Sequence, residues 1–240
     1  AGADGWTLTD LFENVYLRTA GPELYDQLAS HEIPWTHPSV VEALERMQVV
    51  IGNPQLIAGG AGGALQTDFP RSVTQVFSDP PDAAMVFEGD FVAGNIANET
   101  NAQEGDFGVF TFPEIDGSPP VVVGAGDIGV LFRDSPAGQA FIRYLTTPEA
   151  AEAWASRGGF LTANQNLDPS VYPDDITRQI ATDLAEAETF RFDLSDLTPP
   201  EFGGTPGQGL WQKLQSYLRN PGNPEAIARQ IERDAARAYR

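Results

Sequence analysis

The sequence predicts an α/β chain in which helices outnumber strands. Three observations carry this. Apolar residues recur at helical spacing along most of the chain. Capping residues stand directly before proline at several element starts. The remaining short apolar runs, bounded by turn residues, are concentrated between residues 83 and 132.

Leu8, Leu11, Phe12 and Val15 predict a first helix from about Thr9 to Arg18. Gly21 stops it, and Pro22 restarts a second turn or helix with Leu24, Tyr25 and Leu28 apolar. A third helix follows Pro38, with Val40, Leu44, Met47 and Ile51 on one face and Gly52 at its end. Residues 52–81 read as loop. Within them Gly59-Gly60-Ala61-Gly62-Gly63 is flexible, and Asp79-Pro80-Pro81-Asp82 is a rigid turn. Ala83 to Phe87 reads as a buried strand leading through Glu88-Gly89-Asp90-Phe91 into a helix start. A polar connection, 97–105, precedes three short strands: Phe107 to Pro113, Val121 to Val123 and Ile128 to Phe132. Asp116-Gly117 makes a hairpin-type turn, and Gly124-Ala125-Gly126-Asp127 breaks the second strand.

Ser135-Pro136 and Thr147-Pro148 each place a capping hydroxyl before proline at the first helical position. The two helices they open present Phe141, Tyr144 and Leu145, then Ala151, Trp154 and Ala155, and Gly158-Gly159 closes the second. Another amphipathic helix runs from Asp174 to about Glu188, and 198–209 is rich in proline and glycine. Leu210, Leu214 and Leu218 mark a helix that ends before Pro221. Asn223-Pro224 caps the last helix, which carries Ile227, Ile231, Ala235 and Tyr239. Three strands of this length make a marginal sheet. The 107–132 strands are therefore expected to belong to a sheet completed by something else; left uncovered, they are expected either to pair with a second copy of the chain or to remain mobile.

Composition narrows the function. The chain has 240 residues, which allows one large domain or two small ones. It carries 34 acidic against 14 basic residues, a net charge of −20. That disfavours nucleic acid, whose phosphates need a basic face, and anionic lipid surfaces. It has no cysteine, which excludes disulfides, a thiol nucleophile and zinc–thiolate sites. No run approaches the roughly 18 apolar residues of a membrane span, and no signal peptide is read at its start.

Catalytic and metal patterns are sparse. His31 and His37 have no nearby nucleophile motif and read as surface or capping histidines. Gly59–Gly63 lacks the lysine of a phosphate loop. Asp193-Leu194-Ser195-Asp196 lacks the glycine and distal glutamate of a calcium loop and reads as a solvated loop. No metal and no cofactor are implied. Aromatic residues at element edges are more informative. Trp6 follows Gly5 before the first helix, Phe91 sits at a strand-to-helix corner, and Trp211 lies in the first turn of a helix behind a Pro/Gly loop. An aromatic face beside carboxylates is how a protein grips a sugar: the ring stacks on C–H faces and the acids accept hydroxyl hydrogens. Trp35 and Trp154 are assigned to the core.

An ordered set of blocks resembles a known family. They are Gly5-Trp6 to Asp10, Leu17 to Asp26, Ile33 to Pro38, Asp79-Pro80-Pro81, and Ala84-Met85 through Glu88-Gly89-Asp90-Phe91. Phe112 to Gly117, Gly124 to Asp127, Tyr144 to Glu149, Trp154 to Gly159, Phe190 to Leu197 and Gly209-Leu210-Trp211 follow. Together they resemble the sugar-binding solute-binding proteins of ABC transporters, and more narrowly the alpha-glucoside-type members. Nearly the whole chain is covered. The resemblance implies a type II periplasmic-binding-protein-like fold: a helix-rich second lobe built from 1–96 and 160–240, with 97–159 as crossover and first-lobe segment. It implies that a leading lobe and a secretion or lipoprotein signal precede this sequence. By the family pattern, Trp6, Phe91 and Trp211 match positions of stacking aromatics, and Asp127 matches a cleft position that accepts hydroxyl hydrogens. His37 departs from the aspartate usual before this proline, which touches helix capping. The implied protein is not an enzyme. It captures a carbohydrate, an oligosaccharide or glucoside, between two lobes outside the cytoplasm and delivers it to the transmembrane subunits of an ABC permease. The alternative reading is a glycosidase using a carboxylate pair, which turnover of a chromogenic glycoside would reveal.

Overall fold

A computed structural model describes residues 1–103 and 105–240; Glu104, inside the polar connection read from the sequence, lies outside the described residues. In chain order the elements are α1 (Trp6–Ala29), α2 (Pro38–Ile51), α3 (Gly60–Ala64), α4 (Phe69–Thr74), α5 (Val92–Glu99), β1 (Val121–Gly124), α6 (Pro136–Leu145) and α7 (Pro148–Ala155). A 3₁₀ turn (Pro169–Val171) is followed by α8 (Asp175–Glu186), β2 (Thr189–Phe192), α9 (Pro200–Gly203), α10 (Gly209–Arg219) and α11 (Pro224–Ala238). The chain is thus mixed α/β and mostly helical, with a small open two-stranded sheet. Among the described residues no helix is long and apolar enough to cross a membrane.

Helix starts follow the capping chemistry. Ser135 accepts from Gly138 N, Thr147 from Ala150 N, Asp174 from Thr177 N and Asn223 from Ala226 N. Gly21 interrupts α1 at φ 81°, ψ 170°, a backbone that favours glycine. Pro22 then opens the second half at a position whose N–H has no helical partner.

The chain divides into two compact units. The first is formed by 1–88, 112–125 and 188–240, the second by 89–111 and 126–187. In the first, α1 packs on α2 and α10, α10 on α11, and α11 on α2. Phe12, Tyr16, Trp35, Leu44, Met47, Phe202, Leu214 and Tyr217 lie in its core. Phe12 stacks on Tyr16 at 5.5 Å, and Trp35 meets Phe12 at 5.6 Å and the Phe202 edge at 5.2 Å. Polar tips inside this core find carbonyls: Tyr217 Oη donates to Leu44 O and Tyr239 Oη to Ala29 O. β1 and β2 pair in parallel, Val121 opposite Thr189 through Gly124 opposite Phe192, and β1 packs on α1. The second unit has a smaller core of Ala151, Ala155, Leu167 and Tyr172.

The sequence and the structure part over the strands. Of the four short strands expected, only Val121–Gly124 forms one. Residues 83–87, 107–113 and 128–132 join no ladder. Phe110 is 67% exposed, Ile128 76% and Phe132 99%. An apolar run becomes a strand only where a neighbouring strand takes its backbone groups in a ladder, and among the described residues these runs are in none. β2 was not read from the sequence at all. Residues 60–64 and 69–74, read as loop, form short helices. α6 has the apolar stripe expected but buries none of its residues. Trp35 is core, as assigned; Trp154 is half exposed and stacks on Phe160 at 4.3 Å.

Candidate functional site

The start of the chain and the first turn of α10 are drawn together. Gln215 Nε2 donates to the carbonyls of Gly2 and Ala3, both at 2.8 Å, and Gly2 N donates to Ala64 O at 2.9 Å. Asp4 accepts from Phe69 N at 2.7 Å. Gly5 sits at φ 87°, and a Cβ there would come within 2.9 Å of Trp211 Cβ. Glycine alone allows this approach. Trp6 at the head of α1 and Trp211 at the head of α10 therefore occupy adjoining elements, both partly buried. Trp6 tilts against Phe69 at 5.3 Å, and the Trp211 indole Nε1 is buried without a hydrogen-bond partner among the described residues.

Phe91 and Asp127 belong to the second unit. Phe91 is partly exposed, and its ring lies over Gly89, where a Cβ would meet Cε1 at 2.7 Å. Asp127 is exposed on the loop after β1.

The sequence reading missed a cluster of carboxyl groups on α1 and around it. Glu13 is fully buried. Its Oε2 accepts from Leu194 N at 2.8 Å and its Oε1 from Ser195 N at 3.0 Å, and Tyr25 Oη donates to it at 3.4 Å. Asp10, one turn before Glu13 and one turn after Trp6, meets the carboxyl of Glu88. Two carboxyls bond only by sharing a proton, and Glu88 Oε2 is buried with no conventional donor among the described residues. Burial first, and then the neighbouring charges of Asp193 and Asp196, push Asp10 up from the ordinary carboxylate range. Glu88 is raised by burial and by Asp10 and Asp4, with the Ala1 ammonium opposing. Glu13 is raised by burial and by Asp193 and Asp10, against the two amides that favour its charged form. Oxygens of Asp10, Glu13 and Asp193 lie within 4.8 Å of one another. Amides already occupy both Glu13 oxygens, so burial and the neighbouring charges, not a missing donor, hold Glu13 toward its neutral form. A neutral carboxyl can both donate and accept, which suits hydroxyl partners.

This cluster makes stability fall as pH rises. A carboxyl whose native pKa is raised keeps its proton where the unfolded chain has released it, from about pH 4 upward. The unfolding free energy from urea titration is expected to be higher at pH 5 than at pH 8. Glu88→Gln should shrink that difference by at least about 1.4 kcal/mol, the equivalent of one pKa unit. An equal pH dependence in Glu88→Gln would show that the pair ionises freely.

The remaining candidates are structural. His37 accepts from Ser39 N as the cap of α2, and His31 contacts Glu232 at 3.2 Å and stacks on Tyr239. Asp193 Oδ1 accepts from Ser195 Oγ and Asp196 N, a local turn.

The model of the family described as bacterial extracellular solute-binding protein matches residues 1–152. The osmoprotective compounds-binding protein GgtB of Synechocystis sp. is 36% identical over 220 residues, 90% of this chain and 50% of that protein. The alpha-glucosides-binding periplasmic protein AglE of Rhizobium meliloti is 35% identical over 233 residues, 95% of this chain and 49% of that protein. The chain thus spans about half the length of the curated relatives it matches. Among solved structures, a chitin oligosaccharide binding protein matches all of this chain and 58% of its own, at a TM-score of 0.76 and 21% identity. The bacterial solute receptor AcbH matches all of this chain and 59% of its own, at 0.75 and 19%, so both likenesses concern the fold.

Proposed function

Because the chain belongs to the bacterial extracellular solute-binding protein family, we propose that it is the carbohydrate-capturing part of an ABC importer. The family binds solutes rather than transforming them, so the chain is not an enzyme and the glycosidase reading is set aside. The observation that carries the proposal is the pair of partly buried tryptophans, Trp6 and Trp211, on adjoining elements, with the proton-sharing Asp10–Glu88 pair one helical turn along α1. Flat aromatic faces and hydroxyl-binding carboxyls are the two halves of a sugar site. A glucoside or glucose-containing oligosaccharide is the preferred ligand. GgtB and AglE, whose names speak of osmoprotective compounds and alpha-glucosides, support this choice. Phe91 and Asp127, in the second unit, are proposed as ligand-binding residues on the family pattern alone. The protein works outside the cytoplasm, in the periplasm or lipid-anchored, and delivers its ligand to the permease subunits.

We propose that the first unit, 1–88, 112–125 and 188–240, is the second lobe and that 89–111 and 126–187 hold the crossover and the first-lobe segment; the bounds 97–159 expected from the sequence are moved because 121–124 pairs with β2 and packs on α1. The exposed apolar face of α6 and of 128–132 supports this: patches of that kind are normally covered. The covering chain would be the further half that the relatives carry.

Calorimetric titration with a panel of glucosides, with galactose and chito-oligosaccharides as competitors, tests the reading. Saturable glucoside binding with no turnover of a chromogenic glycoside is expected. The affinity of this chain alone should be weaker than about 1 μM, because one wall of the cleft comes from elsewhere. Binding of none of these sugars would overturn the ligand class, and submicromolar binding would overturn the lobe assignment.

A further inference from the structure

The second unit is short of core and rich in charge. Its stretches, 89–111 and 126–187, carry 13 acidic residues against 4 arginines, which leaves −9, and they contain no lysine and no histidine. None of the described acids among them is buried. Of Arg133, Arg143, Arg157 and Arg178, only Arg178 forms an ion pair among the described residues, with Asp175. Asp134, Asp174 and Asp183 take neutral donors instead: Gln139 Nε2 at 2.6 Å, Thr177 N at 2.7 Å and Thr111 Oγ1 at 2.7 Å. Such bonds hold the side chains in place and leave their charge.

Against this charge stands the small core of Ala151, Ala155, Leu167 and Tyr172. Phe110, Phe132, Phe141 and Trp154 are exposed, so the large apolar side chains add little to it. The first unit differs. It is nearly twice as long, with 21 acidic residues against 10 basic, which leaves −11. It holds the other ion pairs found among the described residues, and burial keeps its Asp10, Glu13 and Glu88 toward their neutral forms.

Self-repulsion in a small body depends on salt. A folded chain of the second unit's length has a radius of gyration of about 12 Å. The Debye length is about 30 Å at 0.01 M salt, so every carboxylate of the unit acts on every other; at 1 M it is about 3 Å, and only immediate neighbours interact. Net charge far from zero destabilises a compact state by this route.

We propose that the acidic surface of the second unit takes a diffuse shell of monovalent cations as its partner, and that this unit is fully folded only in salt while the first unit holds its fold without it. Any monovalent cation serves, because screening needs no coordination geometry. This goes beyond solute capture and does not depend on the identity of the ligand.

Hydrogen exchange on the whole chain tests it, at about 0.01 M and about 1 M NaCl. The amides of α7 and α8 should exchange at least about tenfold more slowly at the higher concentration, with KCl acting as NaCl does. Those of α2, α10 and α11 should change by less than about twofold. Glu152 and Glu186 are exposed and form no ion pair among the described residues. Glu152→Lys with Glu186→Lys adds two charges at each position and takes the unit from −9 to −5. Repulsion goes as the square of the charge, so about a third remains and the tenfold ratio should fall to about twofold. Four results would overturn the proposal: equal exchange of α7 and α8 at both concentrations, a slowing shared equally by α2, α10 and α11, sucrose of the same osmolality slowing α7 and α8 as much as NaCl, or the double variant keeping the wild-type ratio. The wild-type comparison requires no variant to fold.

Discussion

Trp35→Ala is expected to lower the unfolding free energy of the first unit by about 3–5 kcal/mol and its melting temperature by roughly 10 °C. The ring is fully buried between Phe12 and Phe202, so its removal leaves a cavity lined by aromatics that cannot collapse into it. Trp35→Phe is expected to cost less than about 1.5 kcal/mol. The indole Nε1 is buried with no partner among the described residues, so phenylalanine removes an unsatisfied donor along with the lost area. Urea unfolding followed by circular dichroism measures both. An alanine loss below about 1 kcal/mol, far under the range for a packed tryptophan, would show that this layer is loosely filled.

Trp211→Ala should act on the ligand. Loss of one stacking face is expected to weaken glucoside binding at least about tenfold, which is about 1.4 kcal/mol. The fold should suffer less than in Trp35→Ala, because Trp211 is only partly buried and its indole N–H has no hydrogen-bond partner among the described residues. The two variants should be titrated with the same sugar and melted side by side. If Trp211→Ala melts as low as Trp35→Ala and binds as the wild type does, Trp211 is a packing residue and the stacking assignment fails.

The parts of the fold that could be read in the sequence are those set by local chemistry. Ser135-Pro136, Thr147-Pro148, Asp174 and Asn223-Pro224 begin helices because a side-chain oxygen and a free amide lie three residues apart. The break at Gly21-Pro22 is equally local. Strands are not local. Phe107 to Pro113 and Ile128 to Phe132 alternate or run apolar like strands but join no strand ladder among the described residues. Thr189–Phe192, interrupted by Arg191, looks unremarkable yet pairs because Val121–Gly124 lies beside it. The site divides the same way. Trp6 and Trp211 could be picked out by their places at helix starts. The Asp10–Glu88 pair and the amide cradle of Glu13 join residues far apart in sequence, and no spacing rule connects them.

The discontinuous first unit has a consequence for the order in which the chain can fold as it is made. Glu13 waits 182 residues for the Ser195 amide, and Tyr217 reaches back to Leu44 across 173. Helices α1 and α2 can form early, but the carboxylate on α1 stays hydrated until its distant partners have emerged. Closure over such separations is slow, and the growing chain exposes its apolar helix faces meanwhile. A nascent chain stopped before β2 would therefore carry α1 and α2 as a sticky, incompletely folded pair, with the first unit assembling only when α10 and α11 arrive.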